Sequence, residues 1–90
     1  MVQKLNNEEF LLRVAAEHER ATRLHASLNS AHEAYAVILE ELDEFWEEVR
    51  KQRANRNLDA MGTELVQIAA MCCRAYYDLG LDAVPLPGEE

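Results

Sequence analysis

Helix breakers are scarce: the chain has three Gly and two Pro in 90 residues, and both prolines fall within its last six positions. Long stretches can therefore stay helical without interruption, and no Gly-rich phosphate loop is present. Cysteine is nearly missing too. Cys72 and Cys73 are adjacent, and neighbours on a helix point about 100° apart, so they do not readily bond each other. Two reduced thiols packed in the core are the expectation. Basic residues are in the minority, nine Lys and Arg against seventeen Asp and Glu, a net charge of −8 that repels phosphate backbones and argues against a nucleic-acid partner. The chain also lacks an apolar run that would span a bilayer, and MVQKLNNEEF lacks the apolar centre of a signal peptide. A cytoplasmic protein with no membrane association is expected.

What is there favours helices. Hydrophobic residues make up 49% of the chain, and Ala, Leu and Glu, all strong helix formers, are abundant. The expectation is a single all-α domain over residues 1–90, a helical hairpin preceded by an N-terminal helix. A chain this short buries only roughly 60 to 65% of its unfolded surface, so self-association is expected as well.

The first helix is predicted over 8–28. Asn6 or Asn7 can cap it, and Glu8 and Glu9 lie in its first turn, where the macrodipole favours anions. Phe10, Leu11, Val14, Ala21, Leu24 and Leu28 form its stripe. Ser30 followed by Glu33 is a capping-box signature that starts a second helix over 31–52, with Tyr35, Ile38, Leu42, Phe45, Trp46 and Val49 on one broad face. Asn57 caps a third, over 58–79, whose stripe is Leu58, Met61, Leu65, Ile68, Cys72, Ala75 and Leu79, with Gly80 just past its end. An extended tail occupies 81–90.

The stretch ILEELDEFWEEV interleaves six carboxylates with apolar residues. Asp43 and Glu47 lie on the side away from the stripe, where solvation explains them. Glu41 and Glu44 share a helix face one turn apart, and Glu41 sits at the margin of the apolar stripe, between Ile38 and Phe45. Glu64 and Gln67 repeat the spacing on the third helix. A hairpin turning near residue 54 sets Glu44 level with Glu64, and Glu41 level with Gln67. Three carboxylates at one height between two helices repel one another unless they take up a proton or a cation, and oxygen ligands select Mg²⁺ or Mn²⁺.

EELDE, residues 40–44, followed by ELVQ, residues 64–67, resembles the E-E-x-x-E and E-x-x-D motifs of the MazG-like all-α nucleoside triphosphate pyrophosphohydrolases. HEAYAVILEELDEFWEEVRK is similar to the corresponding helix of small phage and bacterial members, and the resemblance spans about residues 30 to 80. It implies a homodimer or homotetramer built as four-helix bundles, with Glu41, Glu44 and Glu64 as Mg²⁺ ligands and Glu40 as a further catalytic acid that orients or deprotonates water. The substrate it implies is a nucleoside triphosphate, cleaved to monophosphate and pyrophosphate. The family's fourth ligand is an aspartate, and this chain has Gln67 there. An amide oxygen coordinates without charge, so weaker cation binding is expected, and with it either slow turnover or a catalytically inactive interaction protein on the same fold.

His32 is a candidate for substrate contact in such assemblies, and Trp46, like Tyr76 and Tyr77, for stacking on a base, although helical stripes usually bury aromatics in cores and interfaces. His18, His25 and His32 recur every seven residues, but a helix break near Ser30 takes His32 off their line, and zinc is not expected. Arg50, Lys51, Arg53 and Arg56 cluster at the hairpin turn, where helix-end complementation accounts for them.

Overall fold

The computed structural model describes residues 7–85 and Gly88, and it is all-helical: α1 (Glu8–Leu24), α2 (Ala31–Val49) and α3 (Leu58–Asp78), with 3₁₀ turns at Arg53–Asn55 and Leu81–Ala83. There is no strand among the described residues.

The local signals for helix starts hold in atomic detail. Ser30 Oγ accepts a hydrogen bond from the Glu33 N–H at 3.0 Å, and Asn57 Oδ1 accepts one from the Ala60 N–H at 3.1 Å, each satisfying a donor that the first turn leaves orphaned. Asn7 occupies the N-cap position of α1 without a side-chain hydrogen bond, and Asn6 lies outside the described residues. Gly80 follows α3 with φ 72°, the left-handed conformation that costs glycine least.

Helix ends differ from expectation where distant groups intervene. The first helix was expected to reach residue 28 but stops at Leu24, with His25 extended at φ −130° and ψ 150°. From α3, Asp78 accepts the Leu28 N–H at 2.8 Å, and Arg74 Nη2 donates to the Ala26 carbonyl at 2.8 Å. These two side chains, one turn apart, draw residues 26–28 onto α3 and out of helical geometry. The second helix stops at Val49 rather than residue 52, because Arg56 donates from Nε (3.0 Å) and Nη2 (2.7 Å) to the Val49 carbonyl. Glu48 adds a second tie by accepting the Asn57 N–H at 2.6 Å. The basic cluster is largely spent here: Arg50 pairs with Glu47 and Lys51 with Glu48, both at 2.9 Å.

α3 is the central helix, packed by α2 on one side and α1 on the other. α2 and α3 are antiparallel, while α1 runs parallel to α3, since the starts of α1 and α3 line one hollow (Phe10 and Arg13 with Leu58 and Gly62). Buried Val14 and Ala21 of α1 meet Ala70 and Met71 of α3, and Leu28 and Ala34 meet Ala75. Among the described residues, four of the seven buried apolar ones are alanines, which lets the helices approach closely but buries little area per residue.

The stripe on α3 is rotated from the predicted one. Of the predicted positions Ala75 is buried and Met61, Ile68 and Leu79 are half-buried, whereas Leu58, Leu65 and Cys72 are exposed, and Ala70, Met71 and Arg74 are buried outside the predicted stripe. A helix wedged between two others buries two seams, and the single stripe read from the sequence fits neither completely. Cys72 is therefore not a core residue, and only Cys73 packs against the interior. No helix among the described residues is long and apolar enough to cross a membrane.

Candidate metal centre

Glu41 and Glu44 stand one turn apart on α2, and the antiparallel partner α3 brings Glu64 to the same height. One carboxylate oxygen from each of the three lies within 4.8 Å of the others. Glu41 and Glu64 are half-buried and Glu44 is exposed, so the cluster opens to solvent on the Glu44 side.

The environment opposes three free anions. Oε2 of Glu41 and Oε2 of Glu64 are buried and have no hydrogen-bond partner. Burial pushes the Glu41 carboxyl up to about 7, and the charges of Glu44 and Glu64 reinforce the shift. Glu64 is raised too, by burial first and then by its contact with Glu44. The cluster thus holds a proton near neutrality unless a cation replaces it. The donor set fits a hard divalent ion: oxygens bound to one Mg²⁺ at about 2.1 Å are at most about 4.2 Å apart, so a small contraction closes the group. Among the described residues these are the only carboxylate oxygens that are buried and unpartnered; Glu17, Glu47, Glu48 and Asp78, by contrast, accept from protein donors.

Glu41 also borders a cleft of about 410 Å³ between all three helices, which Glu40 and Gln67 line as well. Gln67 is half-buried beside Glu41, and Glu40 is exposed on the wall. His32 and Trp46 do not line this cleft. His32 is exposed in the first turn of α2, and Trp46, 56% exposed, lines a separate apolar hollow with Leu42, Phe45 and Val49. No histidine joins the acid cluster among the described residues: His18 stacks obliquely on Tyr77 at 5.9 Å, and His25 sits on the cleft rim. Tyr76 and Tyr77 pack edge to face on each other, with centroids 5.2 Å apart.

No protein-family model matches this chain, and no curated protein or solved structure matches it.

Arg74 escaped the sequence reading. It is buried at the inner wall of the cleft, yet an arginine on a helix ordinarily suggests a solvated face. The signal was present in the spacing: Glu64, Gln67, Met71, Arg74 and Asp78 recur by threes and fours along one face of α3, a largely polar stripe on an element that is otherwise apolar. Through Glu41 the carboxylate cluster borders a cleft of small-molecule size.

Proposed function

We propose that the protein is a Mg²⁺- or Mn²⁺-dependent nucleoside triphosphate pyrophosphohydrolase of the MazG-like type, acting in the cytoplasm as a homodimer or homotetramer. The observation that carries this reading is the convergence of Glu41, Glu44 and Glu64 within 4.8 Å, with two of their oxygens buried and unpartnered. These acids hold the cation, and Gln67 supplies a neutral fourth oxygen. When bound, the cation neutralises phosphate charge and lowers the pKa of a water. Glu40, on the cleft wall beside Glu41, orients the attacking water and takes its proton. Attack at the α-phosphorus forms the monophosphate and breaks the bond to the bridging oxygen, which leaves with pyrophosphate. Since His32 and Trp46 lie off the cleft, their contact with substrate comes from a neighbouring copy.

Gln67 supports a second reading, a fold that keeps its oligomer surface but no longer turns over nucleotides. Pyrophosphate release from a panel of nucleoside triphosphates with Mg²⁺ or Mn²⁺ separates the two. Wild type is expected to release pyrophosphate, Glu44→Ala to lose release, and Gln67→Asp to exceed wild type because a fourth carboxylate tightens the site. Activity in Gln67→Asp alone would establish the disabled-enzyme reading, and silence from all three proteins would rule out hydrolysis.

A further inference from the structure

Arg74 is a buried charge without a counter-ion. Only 5% of the residue is exposed, and no carboxylate pairs with it among the described residues. Nη2 is committed to the Ala26 carbonyl at 2.8 Å and Nη1 makes only a weak contact with Met71 Sδ at 3.7 Å, whereas Nε is buried with no partner at all. The other arginine on this cleft, Arg20, is occupied: Glu17 accepts from its Nε at 2.8 Å and Nη2 at 2.7 Å. Arg74 is therefore the strong donor the cleft has to spare, and leaving a buried donor unmet is costly.

The occupant that meets it is constrained by charge and by length. Glu33, Glu40 and Glu41 also line the cleft and repel phosphate oxygens that no cation accompanies, which directs the phosphates to the carboxylate end. Arg74 follows Gln67 by seven residues, about 10 Å along the helix axis, a span that a nucleoside bridges. The neutral end of a nucleotide then reaches the guanidinium. Carbonyl oxygens of guanine, cytosine and uracil accept from such a donor, while adenine has no carbonyl and offers only ring nitrogens, the one on its pairing edge flanked by an amino donor that a guanidinium repels.

We infer that the cleft binds the nucleoside end of the substrate and that Arg74 donates to a base carbonyl, selecting against adenine nucleotides. The assignment rests on the pyrophosphohydrolase reading. Calorimetric titration with the α,β-imido triphosphates of adenosine, guanosine, cytidine and uridine, each with Mg²⁺, tests it on wild type, Arg74→Leu and Arg74→Met. At least one carbonyl-bearing analogue is expected to bind wild type roughly tenfold or more tightly than the adenosine analogue, a difference that Arg74→Met abolishes. Arg74→Leu, which also lacks a donor, gives the same comparison if circular dichroism shows Arg74→Met unfolded. Equal affinity of wild type for all four analogues overturns the assignment even if neither variant folds, as does a preference that survives in a folded variant. Either result leaves the hydrolase reading standing, whereas no Mg²⁺-dependent binding of any analogue overturns both.

Discussion

Glu41 concentrates the chemistry of the site in one side chain. Its carboxyl is pushed up to about 7 by burial and by its acidic neighbours, so between the ordinary carboxylate range and neutrality the folded protein keeps a proton that the unfolded chain has released. Stability from this group is fully present at low pH and is lost as pH rises through 7. In chelator, the urea midpoint should fall between about pH 5 and about pH 8, by on the order of 1 kcal/mol of stability after discounting for partial exposure. Glu41→Gln should flatten that fall, since an amide does not titrate, and an unchanged slope in the variant would refute the assignment. Mg²⁺ should reverse the loss at the alkaline end, where the acids are free to bind it.

At the scale of elements, starts and ends obey different rules. Ser30 and Asn57 cap α2 and α3 through hydrogen bonds to their own first turns, so Ser30→Ala and Asn57→Ala should each cost about 1 kcal/mol in urea unfolding. The two costs should add, because the caps share no hydrogen-bond partner. A cap is written within four residues and was legible in the sequence, as was the level pairing of Glu44 with Glu64, which needs only helical spacing and the position of one turn. The end of α1 was not legible, because Asp78 and Arg74, 50 and 48 residues from their partners, decide it. The seam on α3 was misread in part for a related reason: small Ala70, outside the predicted stripe, is buried, while larger Leu58 and Leu65, within it, are not, and a pattern weighted by hydrophobicity follows the larger residues. Arg74 was hidden by its type, since arginine is rarely buried.

The whole molecule carries more apolar surface than its interior accepts. Tyr35, Leu39, Leu42 and Trp46, spaced by fours and threes along α2, are 67, 38, 48 and 56% exposed, while the interior relies on alanine. A second copy of this chain would cover that face, as the proposed four-helix assembly requires. Light scattering after size exclusion should give a mass of two or four chains for wild type and a monomer for Trp46→Glu, whereas a monomeric wild type would contradict the assembly. Everything proposed about catalysis depends on the carboxylate cluster binding a divalent ion. Titration of Mn²⁺ followed by electron paramagnetic resonance of the free ion measures that directly. Saturable binding by wild type, lost in a folded Glu44→Gln and Glu64→Gln double variant, is the expected result; a wild type that binds no more Mn²⁺ than the double variant would contradict the account.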